Sequence, residues 1–190
     1  MPPKARITRD MIVDAAVEVA RESGDASINA RSVAGKLGCS TQPVMYHFDT
    51  IAELRSAAYE QADRLHTAFL LDVSPEEDPM MGLGLNYIRF AVREPHLFRF
   101  LFQSGTVISR DLEQIIDSGD LQPVLAALQE ALGESREKVR EIFLMLSVFV
   151  HGYASLIANN AFTYEENTAA RYLERAFYGA VAAAGGEESK

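Results

Sequence analysis

The apolar residues of this chain repeat at the spacing of an α-helix almost from end to end, and this period constrains the fold most. In the first helical segment they fall three and four residues apart, at Ile12, Ala15, Ala16, Val19 and Ala20. Residues at this spacing share one face of a helix, whereas strands alternate with a period of two, and no alternating segment occurs. Thr8 is suited to cap the start of this helix and Gly24 to end it. The pattern therefore predicts an all-α fold.

Capping residues, prolines and glycines divide the rest of the chain into further helices. An acidic, proline-flanked linker at 74–79 breaks the pattern, and a looser region at 104–120 contains a helical piece around Leu112, Ile115 and Ile116. Thr50 and Glu53 form a capping box that opens a long helix. The helices predicted after the first one cover 29–38, 40–48, 50–71, 83–93, 95–103, 121–132, 135–159 and 165–184.

Composition excludes several classes of protein. The chain has 190 residues, of which 48% are hydrophobic and 24% charged, as in globular proteins. Its longest apolar run, at 142–150, is far shorter than the roughly 20 residues that cross a bilayer, and the N-terminus lacks a signal-peptide pattern. The single cysteine, Cys39, excludes an internal disulfide, and the four histidines lack metal-ligand spacing. We expect a cytoplasmic protein with no metal, no cofactor and no enzymatic motif.

Charge is distributed unevenly. The chain carries a formal charge of -9, which argues against nucleic acid as a partner. Residues 1–64, however, contain eight Lys or Arg against nine Asp or Glu, whereas residues 65–190 contain ten against eighteen. The acidic excess therefore lies in the second part of the chain, and the first part is nearly neutral.

Residues 29–48 have the sequence form of a helix-turn-helix. Asn29 caps a short helix, Gly38 permits a sharp turn, and a second short helix follows. In this motif the first helix braces the second, whose exposed residues enter the major groove of DNA. Two short helices joined by a glycine turn also occur in all-α cores that bind no DNA.

The residues available to read DNA lie at the start of the second short helix. Gln42 can form two hydrogen bonds to an adenine edge, and Thr41 can bond a base or contact a thymine methyl group. Arg31 on the bracing helix, together with Lys4 and Arg6 ahead of the first helix, can neutralise phosphates.

The order and spacing of several segments carry a family resemblance. They are IVDAAVEVARESG at 12–24, Arg31, Val33–Ala34, Leu37–Ser40, Tyr46–Phe48 and Glu53–Leu54. On these residues the N-terminal part resembles the TetR family of bacterial transcriptional regulators. The resemblance implies a three-helix DNA-binding domain at 1–65 and a larger helical domain at 66–190 for ligand binding and dimerisation.

Motif and resemblance together assign the DNA contacts. The DNA-binding residues are predicted at Lys4, Arg6, Arg31, Ser40, Thr41, Gln42, Tyr46, His47 and Thr50. Met45 stands where the family usually has a tyrosine, Ile51 where it frequently has a lysine, and Asp49 adds a negative charge. Fewer of the family's contacts to the DNA backbone are therefore expected here, and DNA binding should depend more on the basic N-terminal arm.

The second part of the chain has a looser resemblance. YIRFAVREPHLFRFLF at 87–102 and VHGYASLI at 150–157 are similar to the C-terminal domain known for its Trp-His-Gly signature, with Val150 in place of the Trp. This implies a ligand pocket for a small apolar molecule. Candidate pocket residues are Tyr87, Phe90, Phe98, Phe102, Met145, Phe149, His151 and Tyr153. The same spacing also fits an ordinary hydrophobic core.

Small residues on the last helix permit the close approach of a second copy. The interpretation places the dimer interface at Phe143, Val150, Ala169, Leu173, Ala176, Phe177 and Ala180. A two-fold dimer would present two reading helices about one DNA turn apart. The expected function is thus a ligand-released homodimeric repressor at a palindromic operator. Two alternatives stay open: an all-α small-molecule-binding protein with a non-functional helix-turn-helix, and a dimer that binds proteins through a Phe-rich surface.

Overall fold

The computed structural model describes residues 7–76, 78–105, 116 and 121–185. Every regular element within them is helical, which confirms the predicted all-α fold. The α-helices are α1 Arg9–Ser23, α2 Ala30–Lys36, α3 Gln42–His47, α4 Ile51–Leu71, α5 Pro79–Arg93, α6 Pro95–Gln103, α7 Gln122–Leu132, α8 Arg136–Ala158 and α9 Glu166–Gly185. Ile116 is helical and buried as well, whereas Leu112 and Ile115 fall outside the described residues.

Side-chain caps fix where several helices begin. The Thr8 hydroxyl accepts a hydrogen bond from the Met11 amide at 3.3 Å, as the sequence predicts for the start of α1. Asn29 Oδ1 accepts from the amides of Arg31 and Ser32, both at 3.0 Å. Ser32 in turn accepts from the Asn29 amide at 3.1 Å, so α2 begins with a complete capping box.

Helix α5 begins four residues earlier than the sequence predicts, at Pro79 instead of Leu83. Asp78 is the cause, because its Oδ1 accepts hydrogen bonds from the amides of Met80 at 3.1 Å and Met81 at 3.0 Å. The carboxylate thereby satisfies two amides that have no partner within the helix. The last residue of the predicted linker, Pro79, is therefore the first residue of α5.

The first of two compact units comprises the described residues of Met1–His66 and Glu94–Val107. Its core contains side chains without exposed surface, among them Ile12 of α1, Val33 of α2 and Val44 of α3. Each lies on the apolar stripe of its helix, and burial of these stripes holds the three helices together.

Helix α6 also belongs to this first unit, although the sequence analysis assigned it to the range 66–190. It packs against α1. The Tyr59 hydroxyl donates to the Leu101 carbonyl at 3.1 Å, and Arg21 Nε donates to Glu94 Oε2 at 2.9 Å. The Pro95 break therefore separates two helices that lie in different units.

The second unit comprises the described residues of Thr67–Arg93 and Ile108–Lys190, in which α5, α8 and α9 pack closely and α7 covers α8. At Gly84 of α5 a β-carbon would lie 2.7 Å from Leu173 Cδ2 of α9, so glycine permits this close approach. Asn86 Nδ2 donates to the Asp72 carbonyl at 3.0 Å, and Arg89 Nε donates to Glu166 Oε1 at 2.9 Å. These bonds fix α5 to the segment after α4 and to the start of α9.

Helix α8 is apolar on nearly all sides, and within the described chain it is the one helix whose length and hydropathy would allow it to cross a membrane. The core helix of a soluble protein passes the same two criteria. Only 39% of its most apolar window is buried. Packing within this unit thus covers one side of α8 and leaves a second apolar side exposed.

Candidate nucleic-acid interface

The turn between α2 and α3 places α3 at the surface of the first unit. Gly38 has φ of 61°, a left-handed conformation that favours glycine, and the Cys39 amide donates to the Ala34 carbonyl at 3.0 Å. Val44 and Phe48 are buried beneath α3. The Arg9 guanidinium lies 4.7 Å from the centroid of the Phe48 ring, a cation–π contact that joins α1 to the end of α3.

The outward face of α3 carries two of the side chains predicted to contact DNA, together with one further residue. Gln42, Met45 and Tyr46 lie three and four residues apart and therefore share this face. Tyr46 is 78% exposed and Met45 is 43% exposed, and Gln42 is exposed beside them. Three side chains on one short helix are thus available to a macromolecular partner.

Other residues predicted to contact DNA lie at the turn before α3, at the start of α2 and before α4. Ser40, Thr41 and Arg31 are exposed at the turn and on the first turn of α2. Thr50 is exposed too, and its hydroxyl accepts from the Glu53 amide at 3.1 Å, so it also caps α4. Lys4 and Arg6 lie outside the described residues.

His47 is half-buried, and its Nε2 lies 3.3 Å from the Ile7 carbonyl oxygen. The hydrogen bond ties the end of α3 to the residues that precede α1. His47 therefore holds the segment that follows the predicted basic arm, whether or not it also contacts phosphate.

Met45 is exposed on this face but is not among the predicted DNA contacts. In the sequence it stands out only as a departure from the family pattern, although it lies three residues after Gln42. Helical spacing from Gln42 is the signal that identifies it.

The predicted ligand residues divide between the two units. Tyr87 of α5 and His151 of α8 meet in the second unit, where the tyrosine oxygen lies 2.9 Å from His151 Nδ1. Burial raises the pKa of Tyr87 and lowers the pKa of His151, which favours the neutral form of both groups. Phe98 and Phe102 lie in the first unit instead, with ring centroids 4.9 Å apart.

The other pocket candidates pack around the core of the second unit. Met145, Phe149 and Tyr153 are partly buried against it, and the rings of Phe149 and Tyr153 lie 6.2 Å apart. Phe90 is buried against Phe69, with ring centroids 5.6 Å apart. Met145, Phe149 and Tyr153 therefore pack against the core of the second unit, whereas Phe90 packs against Phe69 of α4.

Two clefts in the described structure lie away from these candidates. One, of about 360 Å³, lies between α1 and α4 and is lined by charged residues such as Arg9, Asp14 and Arg64. The other, of about 190 Å³, lies between α7 and α8 and includes Gln122 and Arg140. Among the residues that the structure describes, no group of three His, Cys, Asp or Glu side chains is arranged to hold a metal ion.

Most residues predicted for a dimer interface pack within the protomer instead. Those buried in the core of the second unit are Phe143, Val150, Ala169, Leu173 and Ala180, with Ala176 and Phe177 packed partly against it. The outward faces of the same helices carry other apolar residues. On α8 these are Val148 and Leu156, and on α9 they are Tyr172 and Tyr178.

Comparison with known proteins gives matches along most of the chain. Residues 80–178 match the family described as Tetracyclin repressor-like, C-terminal domain. The chain is 24% identical over 171 residues to the uncharacterized HTH-type transcriptional regulator YobS of Bacillus subtilis (strain 168), which covers 88% of this chain and 87% of that protein.

Two solved structures share the fold. The multidrug binding protein EbrR complexed with ethidium is 23% identical and superposes with a TM-score of 0.52, covering 93% of this chain and 99% of its own. A TetR variant from Acinetobacter baumannii AYE in complex with minocycline is 19% identical, with a TM-score of 0.57, and covers 96% and 97%. These likenesses establish a common architecture.

Proposed function

Because this chain belongs to the TetR family of transcriptional regulators, we propose that it is a cytoplasmic homodimeric repressor that binds a palindromic operator and is released by a small molecule. TetR-family regulators are not enzymes. The matched domain is the tetracycline-repressor-like C-terminal domain, and the Trp-His-Gly subtype stays a prediction.

The exposed face of α3 is the observation that carries the proposal. A helix-turn-helix reads DNA with the outward residues of its second helix, and here Gln42 and Tyr46 occupy that position. Arg31, at the start of α2, is exposed and can contact a phosphate. The acidic excess lies in the part of the chain after residue 64, away in sequence from this motif.

Selection of bound sequences from a random duplex pool, at two salt concentrations, tests this function. We expect recovery of a palindrome whose affinity falls steeply with salt, because phosphate contacts release counterions. Recovery of no sequence by a folded protein would contradict the proposal. It would favour the alternative of a small-molecule-binding protein whose helix-turn-helix is non-functional.

Replacing Gln42 by alanine is expected to weaken discrimination between base pairs at one position of each half-site. The difference in binding free energy between the preferred and the other base pairs should fall by about 1–3 kcal/mol, because a bidentate amide contact is lost. Affinity for random DNA should stay unchanged. Arg31→Ala is the matched comparison, since loss of a phosphate contact weakens binding to all sequences alike. Competition binding against single-base operator variants measures both effects. Equal losses on operator and random DNA for Gln42→Ala would contradict its role.

The dimer is proposed to form through the outward faces of α8 and α9. Val148 is 61% exposed and Tyr178 is 63% exposed, so a second copy that covers them would remove apolar surface from water. Gly152 and Gly179 lie on the same faces, and a β-carbon at either would meet nothing within 4 Å. A second copy can therefore approach these faces closely, and a two-fold interface would cover the same residues on both protomers.

The effector is proposed to bind in the second unit at the Tyr87–His151 pair. The hydrogen-bonded tyrosine and histidine on two packed helices supply the few polar groups that a typical small-molecule site contains. EbrR and the A. baumannii TetR variant, which share this fold, hold ethidium and minocycline respectively. Both compounds serve as first probes for binding and for release of the selected operator. Operator affinity that is indifferent to every compound that binds would contradict ligand control.

A further inference from the structure

Met45 is a large apolar side chain on a face otherwise occupied by polar groups. It is 43% exposed on α3, three residues after Gln42 and adjacent to Tyr46. Val44 and Phe48, its apolar neighbours on the helix, are fully buried instead. Met45 therefore contributes little to the core of the first unit. Its side chain is available to contact DNA on the same face of α3 as Gln42 and Tyr46.

The chemistry of a methionine limits which part of DNA it can contact. Its thioether is uncharged and a weak acceptor, so it cannot neutralise a phosphate. Asp49, exposed two residues after the end of α3, adds a negative charge that disfavours phosphate nearby. Among the groups in the major groove, only the 5-methyl group of thymine is apolar.

With α3 lying along the major groove, its register would bring Met45 to a base pair beside the one proposed for Gln42. Three residues of a helix span about 4.5 Å along its axis, and successive base pairs are about 3.4 Å apart. A methionine has three rotatable bonds and adapts its shape to the group it meets. It can thus cover the methyl group of a thymine on either strand at the neighbouring step.

We infer that Met45 is a specificity-determining residue that recognises the 5-methyl group of a thymine next to the adenine bound by Gln42. This inference rests on the proposed DNA-binding function. It gives the operator a preferred thymine in each half-site, at a position where the contact is apolar and independent of hydrogen bonding.

Single replacement of each operator thymine by deoxyuridine tests the inference, because deoxyuridine keeps the base-pairing edge and lacks only the methyl group. We expect one symmetric pair of positions to be sensitive. The affinity should fall about three- to fourfold for one half-site and about tenfold for both, as for the loss of one buried methyl group per contact. Met45→Ala should bind the thymine and deoxyuridine duplexes equally.

Two further variants separate Met45 from its neighbours. Met45→Leu keeps an apolar side chain of similar volume, so discrimination against deoxyuridine should persist. Thr41→Ser removes the only other methyl group predicted near a base and should also leave discrimination intact. Thermal unfolding of each variant checks that the exposed substitutions leave the fold unchanged.

Three results would overturn the inference: no thymine position sensitive to deoxyuridine, discrimination that survives in Met45→Ala, or discrimination that is lost in Thr41→Ser instead. Each of these presupposes that the operator is bound. Failure to recover any operator would contradict the proposed function itself, so the two failures are distinguishable.

Discussion

Replacing Val148 by glutamate is expected to convert the proposed homodimer into folded monomers that bind the operator at least about a hundredfold more weakly. The side chain is 61% exposed in the protomer, so the substitution should not disturb the core. Across a two-fold interface it would bury two carboxylates without partners, which costs about 3 kcal/mol or more. Loss of the dimer removes the simultaneous reading of both half-sites.

Sedimentation equilibrium and operator titration of the same samples measure this effect. Ala127→Glu is the matched control, because it introduces the same charge at an exposed position of α7, outside the outward faces of α8 and α9. The control should remain dimeric. A dimeric Val148→Glu protein would show that the interface lies elsewhere on the molecule.

The positions of the helices could be predicted well because their signals are local. Thr8 and Asn29 cap α1 and α2 through their own side chains, and Gly133 ends α7 with φ of 66°. The early start of α5 escapes prediction because Asp78 acts as a cap within a segment whose prolines and acidic residues indicate a linker. Aspartate is common both as a helix cap and in linkers, so the residue type alone does not distinguish the two.

What covers an apolar stripe could not be predicted, because periodicity identifies a face and not the surface it contacts. Leu173 and Ala169 lie on the stripe that the sequence analysis assigned to a dimer, and both are buried within their own unit. Phe98 and Phe102 likewise have the aromatic spacing of a pocket but belong to the first unit with α6. These assignments depend on contacts distant in sequence.

The face proposed to read DNA is easier to predict from sequence than the proposed ligand site, for a related reason. A helix-turn-helix is contained in about 20 residues, so local spacing alone indicates that Gln42 and Tyr46 share an outward face. The Tyr87–His151 pair joins α5 to α8 across 64 positions of sequence. No local pattern specifies that hydrogen bond.

Acidification is expected to destabilise the first unit through His66. This side chain of α4 is 7% exposed, and its ring lies 5.2 Å from the ring of Phe102 on α6. Burial lowers the pKa of His66 to about 3, against about 6.5 in an unfolded chain. Between these pH values the unfolded state binds one more proton, so stability is complete above pH 6.5 and is lost as the pH falls.

Between pH 7 and pH 5 this linkage amounts to a loss of about 2 kcal/mol in the free energy of unfolding. His66→Leu cannot titrate at this position, so its loss over the same interval should be smaller by that amount. Urea denaturation followed by circular dichroism at both pH values measures the difference, and the contribution of the carboxylates cancels between the two proteins. An equal loss in the free energy of unfolding for the two proteins would contradict this prediction, because it would show that His66 binds its proton as readily in the folded state as in the unfolded state.

The His66 effect also bears on how ligand control must be measured. A buried histidine beside α6 makes the first unit sensitive to acid without any effector, so loss of operator binding below about pH 6.5 does not report on the second unit. His66→Leu provides a protein in which the two causes separate. If a ligand releases the operator from this variant at pH 6 as effectively as at pH 7.5, release originates from the ligand site and not from partial unfolding around α6.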